Sequence, residues 1–225
     1  MFGTIKRLLG REDAPPPTEL SAADLDRVKF QARIAIVDDE ELPHTKRLRD
    51  DGYNISDFHD IEHIDDFLRK KFDVVVLDIQ GVGGKLSEKS EGWGILKYLK
   101  NTAPHIVVVV FTGAEWSITK YKEQADLADE FIGKDAEFLD FKMKLDAAIR
   151  KAFSPSYHIE LELKRIKAGL VNAKDVTAIE SIVRTYSFQR NKAMSEARKV
   201  TDKSDVLQGV DYLFSILEHI KNLGQ

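Results

Sequence analysis

The feature that most constrains this chain is a short apolar run that ends in a carboxylate. The run is Val74–Leu77, and Asp78 follows it directly, with Gly81, Gly83 and Gly84 shortly after. Four apolar, mostly β-branched residues bounded by glycines are typical of a fully buried central strand. Because a buried charge is costly unless something pairs with it, Asp78 is expected at the carboxyl end of the strand. In open α/β sheets, ligands bind at that edge.

Two further apolar runs end in polar side chains: Ile34–Val37 before Asp38 and Asp39, and Ile106–Phe111 before Thr112. A brief strand is also predicted at Glu130–Ile132, and it ends near Lys134. The carboxyl ends of parallel strands meet at one edge of a sheet, so these side chains are expected to lie close together. Three carboxylates in one pocket stay ionised together only if a cation neutralises them. Because no His or Cys accompanies them, a hard cation such as Mg²⁺ is the expected one. A hydroxyl and an ammonium group beside it suit the oxygens of a phosphoryl group.

Residues 31–153 are predicted to form one α/β domain in which strands alternate with helices. A weaker strand is predicted at Tyr53–Phe58, and the predicted helices are Glu40–Asp51, Ile61–Lys70, Gly92–Lys100, Trp116–Leu127 and Phe138–Phe153. Five strands that alternate with five helices imply right-handed crossovers and a parallel sheet between two layers of helices.

After Ser154-Pro155-Ser156 the chain has only helical patterns. Apolar residues recur at helical spacing in three stretches: Ile159 to Leu170, Val176 to Tyr186, and Leu207 to Ile220. Residues 154–225 are therefore predicted to form a three-helix unit or an antiparallel coiled-coil arm, used for dimerisation or partner binding. A DNA-binding output is a weaker alternative, because acidic residues are interspersed with the basic ones around Arg184 and Arg190.

The first 30 residues are predicted to be an amphipathic segment followed by a proline-rich linker. Residues 1–10 carry Phe2, Ile5 and Leu8 at helical spacing, with basic residues beside them. Such a segment is either a helix that docks on a membrane surface or a partner, or a frayed terminus or a helix packed on its own protein. It is too short to be stable as an isolated helix. Residues 15–17 are three prolines, which favour an extended spacer, and a short helix is predicted at Ser21–Lys29.

The overall composition favours a cytoplasmic protein that does not act mainly on nucleic acid. The net charge is −4, so there is no electrostatic reason to expect a nucleic-acid partner. There is no cysteine, which excludes disulfides, a thiolate zinc site and a cysteine nucleophile. The longest apolar run is far shorter than the roughly 20 residues that span a bilayer, and no signal peptide is visible.

The strand ends together resemble the receiver (CheY-like) domain of two-component response regulators. The matching pieces, in chain order, are IAIVDDE at 34–40, VVVLD at 74–78, FTG at 111–113 and FIGK at 131–134. The resemblance covers about residues 33–153, and the pieces are far more specific together than any one alone. It implies the flavodoxin-like, doubly wound sheet with strand order 2-1-3-4-5, followed here by a helical extension.

The resemblance also implies a role for each polar residue at the strand ends. Asp78 would be the phosphoacceptor, and Thr112 and Lys134 would contact the phosphoryl oxygens. The ligands of Mg²⁺ would be Asp38, Asp39, Asp78 and the backbone carbonyl of Gln80. Phe131 occupies the place of the family's switch aromatic, and plain core packing is the alternative interpretation of that residue.

A signalling switch, rather than an enzyme that acts on another substrate, is the function that the resemblance implies. A histidine kinase or phosphotransfer protein would phosphorylate Asp78, and residues 154–225 would pass the signal to a second copy or to another protein. The alternative from a different class is a phosphorylation-independent scaffold. In that case the acidic pocket only binds metal or stabilises the fold, and the helical tail makes the interactions.

The sequence departs from the usual receiver pattern in three places. The loop Gln80–Glu91 is long and lacks the usual proline after the phosphoacceptor. Asp135 follows Lys134, where the family usually has a proline, often in a cis bond. Gly113 replaces the more common alanine after Thr112, which should leave more room near the phosphate. The loop is either an epitope for a partner or a tolerated insertion.

Overall fold

The computed structural model describes residues 22–86, 88–113 and 115–223. The chain divides between Ser154 and Pro155 into two compact units. Residues 20–154 form the sheet unit, and the second, which contains residues 155–225, is here called the helical unit. The amphipathic segment 1–10, the three prolines and the expected helix start at Ser21 lie outside the described residues.

The sheet unit is built on five parallel strands. Their bounds are Ile34–Val37 (β1), Ile55–Phe58 (β2), Val74–Asp78 (β3), Val107–Thr112 (β4) and Glu130–Gly133 (β5). They are ordered β2-β1-β3-β4-β5, and every neighbouring pair is parallel. This is the doubly wound order 2-1-3-4-5, so the predicted fold class is confirmed. The order puts the carboxyl ends of β1, β3 and β4 side by side.

Helices alternate with these strands, and the ends of some helices differ from those predicted. The described helices of the sheet unit are Ala22–Gln31 (α1), Thr45–Asp50 (α2), Ile64–Arg69 (α3), Gly92–Thr102 (α4), Glu115–Lys120 (α5), Lys122–Ala125 (α6) and Phe138–Ala152 (α7). The prediction that a helix begins at Glu40 was wrong: α2 begins at Thr45, after Pro43. The residue before a proline is pushed out of the helical region, so Leu42 ends any helical turn that Glu40 begins.

The core of the sheet unit lies on both faces of the central strands. Every residue of β1, β3 and β4 is buried. One apolar cluster joins β3 and β4 to α4, which contributes Trp93, Ile95, Leu96 and Leu99. Each fully buried aliphatic or aromatic side chain of this size contributes about 1.5–3 kcal/mol relative to an exposed one. The strand ends that carry the polar residues therefore project from a tightly packed base.

The helical unit contains four described helices: Pro155–Ala168 (α8), Ala173–Thr185 (α9), Arg190–Val200 (α10) and Ser204–Leu223 (α11). The prediction of three helices or a coiled-coil arm is therefore wrong, and α10 is the helix that was missed. Its buried residues are Ala193 and Ala197, which are too small to produce the stripe of large apolar residues that marks an amphipathic helix. Among the described residues, no helix is both long and apolar enough to cross a membrane.

Candidate functional site

Three carboxylates meet at the carboxyl edge of the sheet. Asp38 and Asp39 follow β1 and Asp78 ends β3, and the register places Val37 beside Leu77. One oxygen atom from each of the three side chains lies within 4.8 Å of the others. Asp38 and Asp78 are buried, whereas Asp39 is exposed. The fold thus brings together the three acidic residues that the strand pattern assigns to this edge.

The carboxylate of Asp78 is buried and held from two sides. Its Oδ1 accepts hydrogen bonds from the backbone N–H of Ile79 at 2.6 Å and of Gln80 at 3.1 Å. The Nζ of Lys134 lies 2.6 Å from its Oδ2. Burial raises the pKa of Asp78, and the contacts from Lys134 and Gln80 offset only part of that effect. The side chain is 1% exposed, so its orientation is set by these donors, as a positioned nucleophile requires.

Lys134 links two of the three carboxylates. Its Nζ lies 3.3 Å from Oδ1 of Asp38 as well as 2.6 Å from Oδ2 of Asp78. Its side chain is more exposed than that of Asp78, at 29%. Burial alone would lower the pKa of Lys134, but the two carboxylates outweigh it and raise the pKa. Lys134 is therefore an ammonium group at neutral pH, aimed at the oxygens of Asp78.

Two glycines let the backbone of the loop after β3 pass close to two of the acidic residues, Asp39 and Asp78. A Cβ at Gly81 would lie 2.2 Å from Oδ2 of Asp39, and Gly81 has a left-handed φ of +77°. A Cβ at Gly92 would lie 2.3 Å from the backbone oxygen of Asp78. Neither position admits a side chain without a shift of the neighbouring atoms. Both ends of the loop are therefore packed against the acidic cluster.

The loop after β3 also makes hydrogen bonds and an ion pair with neighbouring segments of the chain. The Oδ1 of Asp60 accepts a hydrogen bond from the backbone N–H of Gly83 at 2.6 Å, and Lys85 pairs with Glu62. On the other side, the hydroxyl of Tyr121 donates to the backbone oxygen of Lys89 at 2.6 Å. These contacts give the described part of the loop a defined path, although it departs from the usual receiver pattern.

The donor set of the cluster fits a hard divalent cation. Its members are all carboxylates, and oxygen ligands are those that Mg²⁺ prefers. Gly81 leaves open, beside Asp39, the space that a Cβ would fill. Asp38, Asp39 and Asp78 are therefore the residues that would hold such an ion.

The remaining residues assigned from the resemblance lie around the cluster in different ways. Thr112 is buried at the end of β4, one position beyond Phe111, which pairs with Asp78. Phe131 is half-buried and packs against the apolar core, an environment that suits a switch aromatic and a core residue equally. Gln80 is exposed and its N–H donates to Asp78. The use of its carbonyl as a metal ligand stays a prediction.

Sequence reasoning missed several groups that contact the site or the segments beside it. Asp60 and the close approach of Gly92 to Asp78 are two of them. The third is His44, which contacts the backbone oxygen of Ala136, just after Lys134. The two residues are 92 positions apart in the chain. A glycine at the first position of a helix is a weak signal for a close approach. No local pattern marks His44, because its contact depends on how α2 and α7 pack.

No protein-family model and no curated protein matches this chain. Solved structures do match, and several receiver domains among them match about half of its length. The BeF3-activated receiver domain of DrrB is 25% identical; the match covers 52% of this chain and 97% of that one, with a TM-score of 0.40. The receiver domain of NtrX from Brucella abortus is 22% identical over 52% of this chain and 97% of that one, with a TM-score of 0.42.

A third structure with similar coverage is the response regulator TrrA from Thermotoga maritima in complex with Mg²⁺ and BeF. It is 24% identical, and the match covers 52% of this chain and 98% of that one, with a TM-score of 0.44. All three are receiver domains or response regulators, the group that the sequence of this chain resembles.

Proposed function

We propose that this protein is a response regulator in which Asp78 accepts a phosphoryl group from a partner histidine kinase or phosphotransfer protein. The sheet unit is the switch, and the helical unit passes its state to a second copy or to another protein. The protein acts on no other substrate; it catalyses the phosphorylation and dephosphorylation of its own Asp78. Mg²⁺ is the cofactor, held by Asp38, Asp39 and Asp78.

In the phosphoryl-transfer step a carboxylate oxygen of Asp78 attacks the phosphorus of the donor. The new bond is an acyl phosphate, the bond between phosphorus and the donor's leaving atom breaks, and the leaving group takes its electron pair. Mg²⁺, when bound, would neutralise the acidic cluster and draw charge from the phosphoryl oxygens.

The chain's own residues orient the nucleophile and receive the charge. The N–H groups of Ile79 and Gln80 hold Oδ1 of Asp78, so the carboxylate keeps one orientation during the attack. Lys134, already 2.6 Å from Oδ2, is close enough to transfer its contact to a phosphoryl oxygen. The hydroxyl of Thr112 is the second side-chain donor to the phosphoryl oxygens, after Lys134. These contacts, made only after transfer, bias the surrounding elements toward a second conformation.

The observation that carries this proposal is the position of Asp78. Its carboxylate is 1% exposed, yet it lies within 4.8 Å of two other carboxylates and in contact with a lysine. A purely structural acid in such a place would be costly. A site for a cation and a phosphoryl group accounts for all four side chains together.

Phosphorylation by a small acyl-phosphate or phosphoramidate donor in the presence of Mg²⁺ tests the proposal. Intact-mass spectrometry should show one added phosphoryl group on the wild type and none on Asp78→Asn. The matched control is Asp57→Asn, because Asp57 is an exposed carboxylate on β2, the edge strand of the same sheet. This control should be labelled like the wild type. An unlabelled wild type, or equal labelling of Asp78→Asn, would refute the proposal.

The scaffold alternative makes a different prediction for the helical unit. If the acidic cluster only stabilises the fold, a phosphoryl mimic such as BeF₃⁻ will leave the association state and partner binding of the full chain unchanged. Analytical ultracentrifugation with and without the mimic distinguishes the two.

The DNA-binding alternative has less support. Arg184 pairs with Glu160 and Glu180, and Arg190 pairs with Asp211 and Glu218. These guanidinium groups are engaged with acidic side chains, and phosphate contacts would have to displace them. Salt-dependent binding of duplex DNA by the full chain would revive this alternative.

A further inference from the structure

The segment that carries Lys134 is a tight turn between β5 and α7 with anchors on both sides. On the sheet side, the N–H of Lys134 donates to the backbone oxygen of Thr112 at 3.2 Å, and the N–H of Ala136 donates to that of Gly133 at 3.0 Å. No proline lies between Gly133 and Phe138. Contacts made by other parts of the chain can therefore add to these hydrogen bonds in fixing the shape of the turn.

His44, directly before α2, supplies such a contact. Its Nε2 lies 3.2 Å from the backbone oxygen of Ala136. A carbonyl oxygen only accepts hydrogen bonds, so Nε2 carries the proton and donates. The carbonyl belongs to the residue two positions after Lys134.

Aromatic contacts fix the imidazole ring in the orientation that this hydrogen bond needs. The ring centroid of His44 lies 5.6 Å from that of Phe138 and 5.7 Å from that of Phe141, both on α7. Edge-on and tilted arrangements at this separation are favourable. The guanidinium carbon of Arg47, on α2, lies 3.8 Å from the ring centroid of Phe138. This is a second contact with the start of α7.

We propose that His44 is a positioning residue for Lys134. It acts through the carbonyl of Ala136 and holds the turn so that the ammonium group stays 2.6 Å from Oδ2 of Asp78. The inference rests on the proposed function, since the purpose of the position is phosphoryl transfer. His44 touches neither the carboxylates nor Lys134, and it has no catalytic role of its own.

Substitutions at this one position separate the hydrogen bond from the ring packing. His44→Phe keeps an aromatic ring against Phe138 and Phe141 but removes the donor, whereas His44→Gln keeps an N–H donor of similar reach. The matched control is His63→Phe. His63 occupies the same place before α3 that His44 occupies before α2, and neither side chain caps its helix.

The first measurement is the rate of Asp78 phosphorylation by a small-molecule donor with Mg²⁺. Misplacement of a reacting group by 1 Å can cost on the order of 100-fold in rate. With the anchors on the sheet side intact, His44→Phe should be slower by about tenfold, and His44→Gln should recover most of the wild-type rate. His63→Phe should react like the wild type.

The second measurement is independent of activity and uses metal-free protein. Hydrogen exchange in a peptide that covers residues 133–137 reports the amides of Lys134 and Ala136, which the turn protects. Loss of one hydrogen bond should speed their exchange by about two- to tenfold in His44→Phe, and should leave it unchanged in His63→Phe.

The outcomes separate this inference from the proposed function. Labelled wild type together with equally fast labelling of His44→Phe overturns the positioning role and leaves the proposed function intact. Slow labelling that His44→Gln does not restore, with unchanged exchange at residues 133–137, overturns it as well. An unlabelled wild type removes the proposed function, and this inference with it. Slow labelling with faster exchange in His44→Phe, restored by His44→Gln, supports it.

Discussion

A buried ion pair at the amino-terminal edge of the sheet offers a quantitative test of how this fold is stabilised. The Nζ of Lys100, on α4, lies 2.6 Å from Oδ2 of Asp129, just before β5; the two side chains are 10% and 6% exposed. The same oxygen of Asp129 accepts the N–H of Val108 at 2.8 Å, and its other oxygen lies 3.0 Å from Nζ of Lys151. The perturbation is Lys100→Met, which keeps most of the side-chain volume and removes the charge.

The loss of folding free energy depends on which partners Asp129 keeps after Lys100 is replaced. Removing one partner of a buried pair typically costs about 3–5 kcal/mol, because a buried charge is left uncompensated. Here Lys151 and the N–H of Val108 remain, so we expect the lower value of about 2–3 kcal/mol. Asp129→Asn should cost a similar amount, since it leaves Lys100 buried without its carboxylate. The double variant should be more stable than the sum of the two losses predicts, by about 1–2 kcal/mol.

Tryptophan fluorescence isolates this unit. The chain has two tryptophans, Trp93 and Trp116, and both lie within residues 20–154. Urea unfolding followed by their emission therefore reports the sheet unit alone. The matched control is Lys97→Met, an exposed position on the same helix, which should change the free energy of unfolding by less than about 0.5 kcal/mol.

The same variants should show a defined pH dependence. Burial alone would raise the pKa of Asp129, but the charge of Lys100 and the hydrogen bonds that Asp129 accepts lower it. The stabilisation is therefore present above the unfolded-state pKa of about 3.9 and is lost as the pH falls through the folded-state value. The penalty of Lys100→Met should shrink below about pH 4. Additive single losses, or a penalty that does not change with pH, would refute the reasoning.

Three further predictions concern the site and the helical unit. Gly92→Ala should destabilise the sheet unit by about 2 kcal/mol or more, because its Cβ meets backbone atoms of Asp78. The control Gly84→Ala should not destabilise the unit, because its Cβ meets nothing within 4 Å. Urea unfolding of the two variants compares these effects. In chelating buffer Asp78→Asn should be more stable than the wild type, and the difference should grow from pH 4 to pH 7. The reason is that burial raises the pKa of Asp78, so the folded wild type loses stability as this carboxyl ionises. A difference in stability between the two proteins that is constant with pH would contradict this prediction. Asn172→Ala should cost the helical unit about 1 kcal/mol, because its side chain caps α9 by accepting the N–H of Lys174; circular dichroism should show no such loss for Asn191→Ala.

Much of the sheet and the identity of the acidic cluster could be predicted from the sequence. Buried parallel strands are short apolar runs, and a charged residue at the end of such a run can only lie where the strand leaves the core. That local rule placed Asp38 and Asp78 at one edge, and the strand order in the structure brings one oxygen atom of each carboxylate in the cluster within 4.8 Å of the others. Helix ends were less predictable, because caps and prolines shift them by several residues, as at Thr45.

Only the tertiary structure decided the features that join distant parts of the chain. The contact of His44 with Ala136, the approach of Gly92 to Asp78 and the pairing of Lys100 with Asp129 arise from packing between elements. The fourth helix of the helical unit was hidden for a related reason, since Ala193 and Ala197 are buried without forming an apolar stripe. A local pattern records which face of an element is apolar, and it carries no information about which partner that face meets. The residues of the acidic edge around Asp78 could therefore be predicted from the sequence, whereas the contacts that distant parts of the chain make with this edge were decided by the fold.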